Sequence, residues 1–290
     1  MKEKKRVKYK YNQAGDAMVP DTERAGGGFT KFSMDYMTMN SEDGDRAKST
    51  MVVVNHEDGG IFTYATPSKG IQDEAYWVPK RIAKDIDNCG NQNVVVQIQN
   101  DQEPAIVNVQ EEIRYLRKGR TICTNSPVGE SESNGRAENA VKRVQAKFRA
   151  LRSDLEERIG SKIDVNKPFG SWLIRWAGEV LTRYTRGEDG KTAWQRRRGK
   201  TCDKPIARIG EKVLYLPLKA ASAHANKAEA KTGEGIWLGT NGRTQEVFIG
   251  TGSGAVSYTH LRAHDTLRNL VCRLLLEKKK GGGGGGGGGG

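Results

Sequence analysis

Apolar residues along the chain follow two different periods, and each period predicts one kind of element. Short apolar runs rich in β-branched and aromatic residues predict strands. Such runs lie at 31–40, 93–100 and 121–127. A further run at 49–69 is divided by Asp-Gly-Gly, which predicts a hairpin. Together these runs supply five predicted strands.

Between and after these strands, apolar residues recur every three or four positions, which predicts amphipathic helices. Helical spacing marks 71–90, 105–119 and 171–187. A longer basic helix that begins near Asn134 carries apolar residues at Val141, Val144, Phe148, Leu151, Leu155 and Ile159. The alternation of strands and helices predicts an α/β domain with a mixed sheet over residues 31–200.

The residue composition changes on both sides of this domain. Residues 1–30 are Lys-rich and then Gly-rich, which predicts a basic, flexible lead-in. After Gly199 short β-like runs alternate with Gly turns, so residues 201–255 are predicted to form a small β module.

Residues 256–290 differ from the rest of the sequence. They end in a Lys run followed by an unbroken Gly run, and Lys is encoded by AAA and Gly by GGG. That order is typical of translated homopolymer, and the preceding SYTHLRAH and LVCRLLLEKKK resemble a translated sequencing-library adapter. We expect an artefactual, disordered tail that packs against nothing. A natural tail with a Gly linker is the alternative.

Charge favours a polyanionic partner. The formal net charge is +13, and residues 256–290 hold six Lys or Arg against two Asp or Glu, so residues 1–255 carry a net +9. A basic surface of this kind attracts nucleic acid but does not specify a fold.

Cysteine and histidine usage excludes two kinds of site. Before residue 256 the chain has Cys89, Cys123 and Cys202, with no CxxC pair, and two distant histidines, His56 and His224. We therefore expect neither a zinc site nor a disulfide framework. The sequence has no run of eighteen apolar residues and no signal-peptide pattern, which predicts a soluble intracellular protein without a membrane partner.

Three acids stand where predicted strands or helices meet loops. Asp35 lies within the first strand, Asp101 follows the strand at 93–100, and Glu138 lies in the first turn of the basic helix, with thirty-six residues between the last two. Carboxylates that meet at strand ends repel one another unless a cation neutralises them. Mg²⁺ is suited to this task because it prefers oxygen ligands.

Each acid also has a structural explanation. Asp35 could be an edge-strand charge, and Asp101 could form a turn. Glu138 could favour the helix N-terminus, with Ser133 or Asn134 as the N-cap. Glu103 competes with Asp101 as a ligand, although a surface role suits it better.

The segments FSMDYM, QNDQEPAI and SPVGESESNGRAENAVKRV together resemble the catalytic core of retroviral and copia-type retrotransposon integrases. The later GKTAWQRRRGK and IGEKVLYLP resemble the copia-type region after that core. The resemblance covers residues 30 to 215. It implies a ribonuclease H-like fold and a catalytic, metal-binding triad of Asp35, Asp101 and Glu138. It also implies Mg²⁺ or Mn²⁺ as cofactor.

The same resemblance implies a DNA-binding surface on the basic helix. Lys142 lies four residues after Glu138, on the same helical face, and matches a family lysine that contacts donor DNA. Asn134 and Gly135 belong to a loop that touches DNA in relatives. Arg143 and Arg149 are expected to contact phosphate.

The function that follows is a metal-dependent DDE polynucleotidyl transferase that processes 3′ ends of retroelement DNA and joins them to target DNA. We expect homo-oligomers and a nuclear or virus-like-particle location. Nothing in residues 1–30 supplies the zinc module common in relatives, so we expect a piece of a longer polyprotein or a truncated gene model. The alternatives are a non-catalytic DNA-binding relic and another ribonuclease H-like nuclease or transposase.

Overall fold

A computed structural model describes residues 7–8, 20–21, 29–39, 49–126, 134–202, 207–215, 233–242, 244–258 and 261–264. The chain divides into two compact units. The first comprises residues 1–149 and 164–203, and the second comprises residues 150–163 and 204–290.

A five-stranded mixed sheet forms the centre of the first unit. Its strands are β3 (Thr30–Thr38), β4 (Ser49–Asn55), β5 (Ile61–Thr66), β6 (Val96–Asn100) and β7 (Thr121–Asn125). The order is β5-β4-β3-β6-β7. Pairing is antiparallel from β5 to β3 and parallel from β3 to β7. Two short strands, β1 (Val7–Lys8) and β2 (Pro20–Asp21), pair with each other.

Two helices cover one face of the sheet, α1 (Trp77–Ile86) and α2 (Pro104–Leu116). Strand residues alternate between the two faces of a sheet, so every second residue of a strand points to the same side. The resulting apolar core joins this face to both helices and comprises Phe32, Met34, Tyr36, Met51, Val53, Val96, Ile98, Val78, Ile82, Ile86, Ile106, Val109 and Ile113, among others. Burial of these side chains is the main source of stability for the unit.

Helix α4 (Pro168–Tyr184) packs against β5 from the other face. The Thr63 hydroxyl donates to the Ile174 carbonyl at 3.2 Å, and the Thr182 hydroxyl accepts from the Ile61 amide at 2.9 Å. A Cβ at Gly178 would lie 2.9 Å from the Thr63 side chain. This close approach therefore requires glycine at position 178.

The arginine-rich segment after α4 forms a short helix that the sequence pattern did not predict, α5 (Ala193–Arg198). Arg197 makes a bidentate ion pair with the buried Asp58 in the β4–β5 turn, at 2.6 and 3.1 Å. Arg196 donates to the Asp58 carbonyl at 2.7 Å and to Asp189 at 2.9 Å. These two arginines therefore hold a turn in place.

Helix α3 (Gly135–Ile159) confirms the long helix predicted near Asn134. Val144, Phe148 and Leu155 are buried as its period required, while Val141, Leu151 and Ile159 are half-buried. Charges differ between its two halves. The second half forms internal ion pairs, Arg152 with Glu156 at 2.7 Å and Arg158 with Asp154 at 3.0 Å.

The second unit contains a five-stranded antiparallel sheet in the order β11-β10-β9-β8-β12. Its strands are β8 (Lys212–Tyr215), β9 (Gly233–Thr240), β10 (Val247–Thr251), β11 (Gly254–Tyr258) and β12 (Leu261–His264). Its buried side chains include Val213, Ile236, Trp237, Leu238 and Ile249.

The expectation that residues from 256 onward pack against nothing is wrong for the start of that segment. Val256–Tyr258 lies in β11, which pairs with β10, and Leu261–His264 forms β12, which pairs with β8. Edge strands accept any added strand of suitable pattern through backbone hydrogen bonds, so the origin of a segment does not prevent it from pairing. Residues 265–290 lie outside the described residues.

The fold class is confirmed. A mixed sheet with helices on both faces has the ribonuclease H-like arrangement, and a small antiparallel sheet follows it. Most of the lead-in at 1–30 lies outside the described residues. None of the described helices is long and apolar enough to cross a bilayer.

Truncation after Ser253 should lower the unfolding temperature of the second unit, by several degrees or more by the usual scaling. It removes β11 and β12 and leaves the edges of β10 and β8 unpaired. It also removes Tyr258, whose ring centroid lies 4.5 Å from that of Tyr215. Calorimetry would measure the change, with truncation after His264 as the control that keeps both strands. Equal unfolding temperatures in the two proteins would contradict this expectation.

Candidate active site

The register of two parallel strands places the first two acids side by side. Ser33 on β3 pairs with Gln99 on β6, in a ladder that runs from Thr30 opposite Val96. Two residues further along each chain come Asp35 and Asp101. The parallel register therefore brings Asp35, within β3, level with the carboxyl end of β6, where Asp101 lies.

The charge environment of Asp35 shows that the third acid is also near. The pKa of Asp35 is raised to about 6, mainly by burial and also by the negative charges of Asp101, Glu138 and Glu103. A hydrogen bond from the Tyr36 amide at 2.7 Å opposes that rise. Asp35, Asp101 and Glu138, distant in sequence, therefore share one electrostatic environment.

The partners of these carboxylates leave oxygen atoms available. One oxygen of Asp35 accepts from the Tyr36 amide, and one oxygen of Asp101 accepts from the Glu103 amide at 3.1 Å. Within the described ranges, none of the three acids has a basic partner, and Glu138 accepts no hydrogen bond through its side chain. Carboxylates that repel one another and lack a countercharge suit a hard cation such as Mg²⁺ or Mn²⁺.

The carboxylates do not form a closed ligand set in this structure. Among the described residues, no three His, Cys, Asp or Glu side chains are close enough to hold one metal ion. The carboxylate donors are of the kind that a divalent cation prefers, but they lie too far apart to bind one ion together. The catalytic and metal-binding roles of the triad therefore stay predictions.

The fourth acid differs from the other three. The Glu103 carboxylate accepts from the Lys69 ammonium at 2.7 and 3.0 Å, so its charge is matched. The sequence left Glu103 open as a competing ligand. Its ion pair favours the surface role and separates it from Asp35, Asp101 and Glu138.

The first half of α3 presents cations to solvent. Lys142, Arg143 and Arg149 are exposed and form no ion pair with any described residue. Asn134 is only 5% exposed, and Gly135 is half-buried. The three basic side chains are thus open to a ligand, whereas the Asn134 side chain is not.

The sequence did not predict a polar group that Ser33, His56 and Arg136 form beside β3. The Ser33 hydroxyl lies 2.6 Å from Nε2 of His56, and the Arg136 guanidinium donates to the His56 carbonyl at 3.0 Å. The pKa of His56 is lowered to about 4, mainly by burial and also by the positive charges of Arg136 and Lys31. His56 is therefore neutral at physiological pH, and Arg136 ties the start of α3 to the β4–β5 turn.

Strand alternation could have revealed part of this group. Ser33 precedes Asp35 by two residues, so both point to the same face of β3. Its contact with His56, twenty-three residues away, depends on the hairpin and has no local signal in the sequence.

No protein-family model matches the chain, and no curated protein matches it. Among solved structures, the chain is similar to one in the cryo-EM structure of the simian T-cell lymphotropic virus intasome in complex with PP2A regulatory subunit B56 gamma. That match has 12% identity and a TM-score of 0.45, and it covers 81% of this chain and 78% of the other.

The chain is also similar to the HTLV-2 integrase catalytic core domain in complex with magnesium. The trimeric form matches with 14% identity and a TM-score of 0.41, over 58% of this chain and 95% of the other. The dimeric form gives 14% identity and a TM-score of 0.39, over 59% and 95%.

Replacing Asp35 by Asn should stabilise the metal-free protein at neutral pH. The pKa of Asp35 is raised from 3.8 to about 6, so the folded state holds a proton that the unfolded state has lost between those values. Stability therefore falls as pH rises through this window, and the cost is complete above it. We expect a gain of about 1 kcal/mol at pH 7.5, reduced from the full linkage because the carboxyl keeps contact with water.

Thermal unfolding in EDTA at a series of pH values would measure this gain. It should shrink towards zero as the pH falls to about 4. Asp73→Asn, at an exposed acid outside the cluster, is the matched control. A gain in Asp35→Asn that is independent of pH would show that charge repulsion is not its cause.

Proposed function

We propose that this chain is an integrase-like polynucleotidyl transferase that processes the 3′ ends of element DNA and joins them to target DNA. One observation carries the proposal. Three carboxylates without basic partners among the described residues share one environment: Asp35 within β3, Asp101 just after the adjacent parallel strand β6, and Glu138 in the first turn of α3. A structural explanation accounts for each acid alone but not for their proximity.

Asp35, Asp101 and Glu138 would hold Mg²⁺ or Mn²⁺ through carboxylate oxygens. Two such ions, when bound, stabilise the attacking and leaving oxygens of a phosphoryl displacement. The chain itself limits the movement of two ligands, because the Tyr36 amide holds one oxygen of Asp35 and the Glu103 amide holds one oxygen of Asp101. Both side chains thus keep one oxygen directed by the backbone and one free.

The proposed chemistry consists of two displacements at phosphorus. In the first, a water oxygen attacks a phosphodiester near the element end, and a 3′-hydroxyl is released. In the second, that 3′-hydroxyl attacks a phosphodiester of the target and displaces a target 3′-oxygen. One acidic site can serve both steps, since they differ only in the nucleophile.

The first half of α3 would supply the DNA contacts. Lys142, Arg143 and Arg149 are exposed cations close in sequence to Glu138, so a phosphate backbone bound there would lie near the acids. Joining two DNA molecules also favours a homo-oligomer that holds both element ends. Such a protein would act in the nucleus or in virus-like particles.

Replacing Asp101 by Asn should abolish strand transfer, because it removes one proposed ligand while the amide keeps the size of the side chain. The assay would use short duplexes in Mn²⁺ and in Mg²⁺, with gel separation of joined products. Asp73→Asn is the control and should retain activity. Circular dichroism should show that the Asp101→Asn protein is folded like wild type.

The same assay separates the alternatives. Strand transfer by wild type and its loss in Asp101→Asn and Glu138→Gln support the proposal. Cleavage without joining would indicate another ribonuclease H-like nuclease. DNA binding without either reaction would indicate a non-catalytic relic.

Neutralising Lys142, Arg143 or Arg149 should weaken DNA binding for every sequence tested. Each phosphate contact that is lost should reduce the slope of log K against log salt by about 0.9. Fluorescence anisotropy on a labelled duplex at several salt concentrations would measure both quantities. Lys162→Ala is the control, because this exposed lysine is paired with Glu156. DNA binding that is insensitive to salt would contradict this assignment.

A further inference from the structure

A lysine lies at the rim of the acidic site, between two neighbours of the proposed ligands. The Lys69 ammonium donates to both oxygens of Glu103, at 2.7 and 3.0 Å, and lies 5.2 Å from the centroid of the Tyr36 ring. Tyr36 follows Asp35 in β3, and the Glu103 amide binds Asp101. Lys69 thus contacts the residue that follows Asp35 in the chain and the residue whose amide binds Asp101.

The turn that carries Lys69 is fixed by its surroundings. The buried Tyr36 hydroxyl accepts from the Gly70 amide at 2.9 Å. Gly70 has φ +86°, a conformation that favours glycine, and its Cβ position lies 3.9 Å from the Cβ of Ala105 at the start of α2. The backbone therefore places Lys69 beside Glu103, two residues after Asp101, while its four-carbon side chain can still move.

Glu103 holds the Lys69 ammonium only weakly. The side chains of Lys69 and Glu103 are 39% and 32% exposed. A pair with this exposure contributes little to stability, because water already solvates both charges. Its partner can therefore be exchanged at low cost when another anion arrives.

We propose that Lys69 contacts a DNA phosphate at the acidic site. In the free protein its ammonium pairs with Glu103, and on DNA binding it leaves Glu103 and pairs with the phosphodiester. This inference rests on the proposed function and extends it by one substrate-contacting residue. A lysine ammonium can make this exchange because it is a compact charge with three rotatable donors. Glu103 then competes with DNA for the same cation, so removing its charge should favour DNA.

The test uses four full-length proteins: wild type, Lys69→Ala, Glu103→Gln and the double variant. Anisotropy of a labelled duplex in EDTA gives affinity and salt slope for each. Lys69→Ala should weaken binding roughly tenfold, as expected for a charge-assisted contact, and reduce the salt slope by about 0.9. Glu103→Gln should strengthen binding a few-fold, on the order expected for releasing a partly exposed pair.

The double variant decides between two causes of that gain. If Glu103→Gln acts by releasing Lys69, its gain disappears in the Lys69→Ala background. If it acts by general loss of negative charge, the gain persists and the proposal is overturned. If the Lys69–Glu103 pair only stabilises the fold, Lys69→Ala and Glu103→Gln should change DNA affinity in the same direction. That result would also overturn the proposal.

Two further variants make the test specific to this lysine. Lys80→Ala is the matched control, because Lys80 is exposed and lies 4.3 Å from the centroid of the Tyr76 ring without an ion pair among the described residues. Its salt slope should stay at the wild-type value. Lys69→Arg keeps the charge and should restore most of the affinity, whereas failure to restore it would count against a phosphate contact.

Strand transfer by wild type in Mn²⁺ separates the two proposals. If wild type neither binds nor joins DNA, the proposed function and this inference both fail. If wild type joins DNA but Lys69→Ala keeps wild-type affinity and salt slope, this inference alone fails and the function stands.

Discussion

Parallel pairing of β3 with β6 brings two of the acids near each other, because the register sets Asp35 within β3 level with the carboxyl end of β6. Asp35 and Asp101 meet through this register. Gln110 on α2 joins the next pair of parallel strands, because it donates to the carbonyls of Ile98 on β6 and Thr124 on β7, at 2.7 and 3.2 Å. A slip of one residue would turn Asp35 into the apolar core, so the same ladder protects both the core and the site.

Charge repulsion at this edge is the cost of that arrangement. Desolvation and three neighbouring acids act against the ionised form of Asp35. The fold offsets only part of this, through the Tyr36 amide on Asp35 and through Lys69 on Glu103. Natural proteins commonly retain such local instability at functional sites, where a bound ligand removes it.

Arginine and lysine serve two distinct purposes in this chain. Arg197 is bound to the buried Asp58, and Arg117 is buried with bonds to Asp87 and to the Asn91 carbonyl, so these cations stabilise turns. Cations such as Lys142 in the first half of α3 are instead exposed. Net charge alone does not distinguish these uses, since both raise it equally.

The sequence predicts the order and type of most elements, because the apolar period is a local property that survives folding. It also indicates Asp35, Asp101 and Glu138, through the motifs around them and the spacing of the last two. Tertiary structure decided the rest. It paired Glu103 with Lys69, seated α5 on Asp58 and added residues beyond 255 to the small sheet. These contacts join residues far apart in the chain, and no local pattern encodes them, because they depend on strand register and on which charges find a partner.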